Sequence, residues 1–133
     1  MNRFNDKVAV ISGGADGLGK AIAHRIASEG GQVALFDRNA NLLEKTVEEF
    51  TRKGLKASAH QVDVGIEEQV IKGYREVVQK FGNMHIMVNA AGIVGPSSTL
   101  ITSYPTAAFD EIYAVNLRGT FLMAKYALEI MEP

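Results

Sequence analysis

A glycine-rich turn joins a strand pattern to a helix pattern near the start of the chain. Residues 7–12 are apolar and rich in β-branched side chains, as in a strand buried on both faces of a parallel sheet. After the turn, Leu18, Ile22 and Ile26 recur at every fourth position, which predicts one buried face of a helix ending before Gly30. Backbone N–H groups at the start of such a helix form a favourable site for an anion.

The alternation of strand and helix patterns continues along the chain. Further strands are predicted at residues 33–36, 56–62 and 86–88. Helices are predicted from two apolar stripes (Leu43, Val47 and Phe50; Val70, Tyr74, Val77, Val78 and Phe81), through residues 106–113, and over about 117–131. Asn39 or Asn41 is expected to cap the second helix, and Ser103 or Thr106 the fourth. The pattern predicts one α/β domain over residues 1–133, with a parallel sheet of order 3-2-1-4 in a three-layer, Rossmann-like α/β/α arrangement.

Composition excludes several classes of function. The chain has 133 residues, of which 47% are hydrophobic and none is cysteine, so disulfide frameworks and zinc–thiolate sites are excluded. Its net charge of −1, from 14 basic and 15 acidic residues, provides no general attraction for nucleic acid or an anionic membrane. The first apolar run, residues 8–11, is too short for a signal peptide or a membrane span. We therefore expect a cytoplasmic protein without nucleic-acid or membrane partners.

The spacing of the glycines separates three interpretations of the turn. The dinucleotide spacing G-x-G-x-x-G fails, because Ile22 stands where the third glycine belongs. Gly14, Gly19 and Lys20 fit a P-loop, but Ala21 replaces the serine or threonine that binds Mg²⁺. A P-loop-like phosphate binder and a glycine turn without a ligand therefore stay as alternatives.

A third spacing, G-x-x-x-G-x-G after a hydroxyl residue, resembles the cofactor loop of the short-chain dehydrogenase/reductase family. The family carries threonine where this chain has serine. The resemblance implies that the loop binds the pyrophosphate of a nicotinamide dinucleotide. Its residues are Ser12, Gly13, Asp16, Gly17, Leu18 and Gly19.

An acidic residue at the end of the second strand indicates which dinucleotide is bound. Asp37 lies 18 positions after Gly19, where a carboxylate accepts hydrogen bonds from the adenosine ribose and repels a 2′-phosphate. Arg38 follows and can pair with a 2′-phosphate, so NADP stays open, although NAD is favoured. An ordinary solvent-exposed carboxylate is the alternative for Asp37.

Two further motifs follow the third and fourth strands and resemble the same family. The Asp-Val pair implies a contact with adenine, although Asp63 can also simply cap the next helix. The Asn-Ala-Ala-Gly stretch resembles the family's Asn-Asn-Ala-Gly, which stabilises the sheet and lines the cofactor pocket; alanine replaces the second asparagine. The residues so assigned are Asp63, Val64, Asn89, Ala90, Ala91 and Gly92.

Asn116 is the one candidate for a catalytic role. It begins an Asn-x-x-Gly segment that resembles the family's segment between two helices. The resemblance implies that Asn116 bends the helix and that its backbone carbonyl holds a water of the proton relay. Without the resemblance, it is a poor helix former within a helix.

The acid–base residues of the family do not occur in this sequence. The family uses a tyrosine and a lysine four residues after it. None of the four tyrosines in this sequence has a lysine at that position. His24, His60 and His85 lie on different elements, with no histidine–serine–acid pattern and no metal-ligand cluster. We therefore expect a fragment of a longer enzyme, with near-background turnover by itself; a short natural relative of the family is the alternative.

These inferences predict an NAD-dependent oxidoreductase that transfers hydride between nicotinamide and a small alcohol or carbonyl substrate. A catalytically inactive dinucleotide-binding module is the alternative from another class. Self-association to a homo-oligomer is also expected from an apolar stripe on the last helix, unless that stripe faces its own sheet. The stripe consists of Phe121, Leu122, Leu128 and Met131.

Overall fold

The predicted parallel sheet is present, in the order β3-β2-β1-β4, in a computed structural model that describes residues 2–132. Met1 and Pro133, at the bounds of the predicted domain, lie outside the described residues. The strands are β1 (Val8–Ser12), β2 (Gln32–Asp37), β3 (Lys56–Gln61) and β4 (Ile86–Asn89). The helices are α1 (Gly17–Ser28), α2 (Ala40–Arg52), α3 (Glu67–Phe81), α4 (Thr106–Ile112) and α5 (Gly119–Met131), with a 3₁₀ turn at Ile101–Ser103 and a π-helical segment at Tyr113–Arg118.

Each face of the sheet is covered by its own pair of helices. Alternate residues of β1 enter different cores: Val10 packs on the α3–α5 side, whereas Ile11 packs on the α1–α2 side. Both are fully buried, as expected for a central parallel strand with two covered faces. The parallel register pairs Ser12 with Phe36 of β2 and with Asn89 of β4. The carboxyl ends of these strands therefore meet at one edge of the sheet.

The buried face of α1 differs from the predicted one. Leu18 is 80% exposed and Ile22 37% exposed, whereas Gly19 and Ala23 are buried together with Ile26. Four residues turn a helix by about 400°, so a stripe at every fourth position drifts by about 40° per step away from the core. Small residues instead occupy the buried face, with Gly19 against the glycine loop and Ala23 in the core.

The caps of α2 and α4 were predicted with different success. Asn39 caps α2, because its Oδ1 accepts a hydrogen bond from the Leu42 N–H at 3.1 Å. The prediction for α4 is wrong: Thr106 is its first helical residue, and Ser103 lies in the preceding 3₁₀ turn. Pro105 occupies the extended position before the helix and has no side-chain polar group with which to cap it.

The α5 stripe is divided between the core and the surface. Leu122 is buried against the sheet, whereas Phe121 is 59% and Leu128 50% exposed. Phe121 and Leu128 are seven positions apart and share one exposed face of the helix, whereas Leu122 points into the core. The strand β4 is an edge strand with all four residues partly buried. Self-association stays a prediction.

Within residues 2–132, no helix combines the length and the apolar character that a membrane crossing requires.

Candidate functional site

A cleft opens at the carboxyl ends of the four strands. It is lined by seven of the residues that the sequence assigned to a site: Gly13, Asp37, Arg38, Asp63, Val64, Ala91 and Gly92. Four further apolar residues complete the lining: Phe36, Val62, Ile93 and Val115. Each of these four residues stands next to a motif residue in the sequence. This adjacency could have identified them as lining residues, although the spacing of the motifs alone does not.

The three motif glycines of the loop are required for different physical reasons. Gly13 has φ +65°, and a Cβ there would lie 2.9 Å from the carbonyl oxygen of Ala90. Gly17 has φ +56° in open space, so its requirement is conformational. A Cβ on Gly19 would overlap the carbonyl oxygen of Gly13, which makes this position one of close approach between helix and loop. The G-x-x-x-G-x-G spacing therefore corresponds to a specific tight turn.

The N-terminus of α1 is open toward the loop. Asp16 is the N-cap residue, but its side chain makes no capping hydrogen bond. Among residues 2–132, no acceptor meets the backbone N–H groups of Gly17, Leu18 or Gly19. Unpaired N–H groups at a helix start carry partial positive charge and can bind an anion.

Lys20 does not point its charge at that helix start as a P-loop lysine would. Its Nζ lies 2.8 Å from Oε2 of Glu49 on α2. Hydrogen bonds from Lys20, and then from Lys53, lower the pKa of the Glu49 carboxyl to about 2. The lysine is therefore paired with a carboxylate, which argues against the P-loop interpretation. The absence of a hydroxyl residue at Ala21 is a second argument against it.

Asp37 is positioned by the glycine loop itself. Its Oδ2 accepts a hydrogen bond from the Ala15 N–H at 3.3 Å, and its Oδ1 accepts one from the Asn39 N–H at 3.0 Å. The buried hydroxyl of Thr46 on α2 donates to the Ala15 carbonyl at 2.8 Å. Ala15 thus links the acidic residue, the loop and α2. The sequence reasoning missed Thr46, which lies within the buried stripe of α2 between Leu43 and Phe50.

Ser12 lies beneath the cleft rather than in its lining. Its fully buried hydroxyl donates to Oδ1 of Asn89 at 2.7 Å and accepts from the N–H groups of Ala90 and Ala91, each at 3.1 Å. These bonds tie the end of β1 to the end of β4. Ser12 and Asn89 are therefore placed to position the cleft wall, and Ala91 is the member of this set that lines the cleft.

Asp63 shapes the turn after β3 and does not cap α3. Its Oδ1 accepts a hydrogen bond from the Gly65 N–H at 2.9 Å, whereas the N-cap residue of α3 is Ile66. Val64 is buried and lies close to Gly119. A Cβ added to Gly119 would lie 2.5 Å from Cγ2 of Val64. The turn after β3 is therefore packed against the start of α5.

Asn116 lies in the π-helical segment that joins α4 to α5. Its side chain makes two hydrogen bonds with one residue: Oδ1 accepts from the Ile93 N–H at 2.9 Å, and Nδ2 donates to the Ile93 carbonyl at 3.0 Å. The Asn116 carbonyl accepts from the Thr120 hydroxyl at 2.6 Å. The asparagine thus anchors the chain segment that lines the outer part of the cleft.

A histidine–serine–acid chain is present, contrary to the sequence expectation. Nε2 of His60 lies 2.8 Å from Oγ of Ser58, and Nδ1 lies 3.2 Å from Oε1 of Glu76. Ser58 and His60 share one face of β3 because side chains alternate along a strand, and α3 brings Glu76 over them. Both strand residues are buried, and burial lowers the pKa of His60 although Glu76 opposes that shift. The cluster joins β3 to α3, because Ser58 and His60 lie on the strand and Glu76 on the helix.

His85 also has a structural contact. Its Nδ1 accepts a hydrogen bond from the Val8 N–H at 3.0 Å, and its own N–H donates to the Val8 carbonyl at 2.9 Å. These bonds hold the beginning of β4 beside the beginning of β1. Within residues 2–132, no three histidine, aspartate or glutamate side chains converge as metal ligands.

Comparisons with known proteins agree with this geometry. A family model described as short chain dehydrogenase matches residues 7–133. The chain is 37% identical over 131 residues to the uncharacterized oxidoreductase YxbG of Bacillus subtilis, covering 98% of this chain and 48% of that protein. It is 36% identical over 132 residues to levodione reductase of Leifsonia aquatica, covering 98% of this chain and 49% of that protein. The chain thus spans about half the length of these curated relatives.

A solved structure shows the same arrangement. The crystal structure of an NAD⁺-bound xylitol dehydrogenase superposes with a TM-score of 0.91 at 34% identity, covering 97% of this chain and 49% of that one. The relatives named here are oxidoreductases, dehydrogenases or reductases. From the glycine loop, the strand order and the family match, we conclude that this chain belongs to the short-chain dehydrogenase family.

Proposed function

We propose that residues 7–132 form the NAD-binding unit of an oxidoreductase that interconverts a small alcohol and its carbonyl compound. The observation that carries this proposal is Asp37, which is hydrogen-bonded to the glycine loop beside the open N-terminus of α1. An anion site and a ribose-binding carboxylate next to each other match the two polar parts of an adenine dinucleotide. When bound, NAD supplies the group that accepts or donates the hydride.

Different residues of the cleft and of the glycine loop are placed to hold different parts of that cofactor. The N–H groups of Gly17, Leu18 and Gly19, in the glycine loop and the start of α1, would hold the pyrophosphate, and Asp37 would accept hydrogen bonds from the ribose hydroxyls. Phe36, Val62 and Val115 supply apolar surface for the adenine, with Asp63 at the cleft's polar edge. Two acidic residues and one arginine line the cleft, so its charge favours a ribose hydroxyl over a 2′-phosphate.

The proton chemistry requires groups beyond those that line this cleft. Asn116 is the candidate that this chain contributes, through its backbone carbonyl. No tyrosine in the sequence has lysine at the fourth following position. Nucleotide binding without catalysis is therefore the second candidate for the chain by itself.

A calorimetric titration of the chain with NADH, NADPH and Mg·ATP tests the proposal. We expect binding of NADH, weaker binding of NADPH and little binding of Mg·ATP. Asp37→Asn should weaken NADH by about tenfold, because it removes a charge-assisted hydrogen bond, and should raise the affinity for NADPH relative to NADH. The asparagine keeps one amide oxygen, which can still accept a hydrogen bond from the Ala15 or the Asn39 N–H, so one of the two contacts that hold this turn is retained.

Asp110→Asn on exposed α4 is the matched control, because it removes the same charge away from the cleft. Mg·ATP binding with no response to NADH would overturn the dinucleotide assignment. An unchanged NADH affinity in the Asp37 variant would remove this residue from the site. Turnover with alcohols, measured on the same samples, distinguishes the enzyme from the binding module.

A further inference from the structure

The Arg38 side chain bridges the end of β2 and helix α4. Its Nη1 lies 3.6 Å from Oε1 of Glu111, and the two side chains are 51% and 59% exposed. The backbone of Arg38 is held separately, because its carbonyl accepts a hydrogen bond from Nε2 of Gln61 at 3.2 Å. The guanidinium can therefore change partners while the main chain stays in place.

This ion pair lies between two hollows of the surface. Arg38 lines the cleft that contains Asp37 and Asp63, and it is the one cation among the residues that line it. It also lines a neighbouring hollow with Glu111, Gly95 and other residues of the α4 side. Glu111 thus holds the cleft's only lining cation toward α4.

The pair matters for charge more than for stability. An exposed ion pair of this length contributes little to folding and weakens with salt. Its effect on an anionic ligand is larger, because Glu111 both neutralises Arg38 and adds a negative charge beside the cleft. A 2′-phosphate needs an arginine that is free to pair with it.

We propose that Glu111 is a specificity residue that disfavours NADP by holding Arg38 in an ion pair away from a 2′-phosphate. It acts through Arg38 and is a positioning residue. The inference rests on the proposed function, since it concerns the cofactor of that same cleft. It adds a second contribution to the discrimination by Asp37, made by a residue 74 positions later in the chain.

The test compares Glu111→Gln with Asp110→Asn, its exposed neighbour on α4. Calorimetric titrations with NADPH and NADH at low salt give the ratio of the two affinities for each variant. Glu111→Gln should tighten NADPH by about fivefold and change NADH by less than about twofold, because only the 2′-phosphate meets the released arginine. Asp110→Asn should leave the ratio within about twofold of the unsubstituted chain.

A second background shows whether the effect passes through Arg38. In Arg38→Gln, the additional Glu111→Gln change should bring no comparable gain for NADPH. An unchanged ratio in Glu111→Gln, an equal gain in Asp110→Asn, or a gain that persists without Arg38 would overturn the inference. If the unsubstituted chain binds NADH normally and only the ratio fails to move, the proposed function stands and Glu111 has no such role. If the unsubstituted chain binds neither dinucleotide, both fail together.

Discussion

The two sides of the cleft are built with different rigidity. The loop side (residues 12–19 and 36–38) holds Ala15 through both its N–H and its carbonyl, and the buried hydroxyl of Ser12 makes three hydrogen bonds. The outer wall (residues 91–118) carries side chains that are largely in solvent, among them Val94 at 94% and Ile101 at 91% exposure. Few buried contacts and exposed backbone bonds are the features of segments that open locally.

This difference assigns different tasks to the two sides. A preorganised loop can bind pyrophosphate without rearrangement, because its turn is determined by glycine conformation and packing. The outer wall is held in part by the pair of hydrogen bonds between Asn116 and Ile93, in addition to the ion pair between Arg38 and Glu111. We therefore expect changes on the loop side to affect the free energy of unfolding and changes on the outer wall to affect mobility.

The largest effect is expected for Gly19→Ala on the loop side. The new methyl group would overlap the Gly13 carbonyl, so loop and helix must separate at a cost of about 3 kcal/mol in unfolding free energy. Gly17→Ala is the control, because its methyl group meets open space and only the φ of +56° is unfavourable, at about 1 kcal/mol. Urea denaturation of both variants measures the difference. Equal costs would show that α1 does not depend on close approach.

A smaller effect is expected for Ser12→Ala, which removes the link between the two sides. The variant leaves the Ala91 N–H and the Asn89 amide oxygen without this partner, and the Ala90 N–H with only its 3.3 Å bond to the Ser12 carbonyl, at about 2 kcal/mol of unfolding free energy. Ser28→Ala, at an exposed helix position, should change it by less than about 0.5 kcal/mol. Matching urea midpoints for the two variants would contradict the role of the buried hydroxyl.

The smallest effect on stability is expected for Asn116→Ala in the outer wall. Two exposed hydrogen bonds to Ile93 are lost, at about 1 kcal/mol of unfolding free energy, and amide exchange should accelerate at Ile93. Asn116→Asp is the matched variant, since it can still accept from the Ile93 N–H but cannot donate to the carbonyl. Its exchange rate should lie between those of the alanine variant and the unsubstituted chain. Unaltered exchange in both variants would mean that another contact holds the wall.

The loop side was the more predictable of the two from sequence. The glycine spacing and the position of Asp37 depend on local geometry, namely a tight turn and a strand end, which leave a direct record in residue type. The corresponding expectations for the outer wall failed in part. Neither Ser103 nor Thr106 caps α4, because the extended position before the helix is occupied by proline.

The exposed Leu18 shows a different reason for failure. Apolar spacing predicts which residues share a helix face, but it does not specify how closely that helix approaches the sheet. Here Gly19 lies against the glycine loop and Ala23 in the core, whereas Leu18 and Ile22 lie toward solvent. Which of two adjacent faces is buried was therefore decided by packing.

The sequence by itself determined the periodicity, the order of the elements and the glycine turn, because these follow from backbone geometry over a few residues. Only the tertiary structure decided which polar groups meet. Ser12 and Asn89 are 77 positions apart, and Ile93 and Asn116 are 23 apart. The Ser58–His60–Glu76 cluster and the Arg38–Glu111 pair likewise join separate elements. Such contacts depend on how the helices pack against the sheet. A local pattern of residue types does not specify which residues of two separate elements will come into contact.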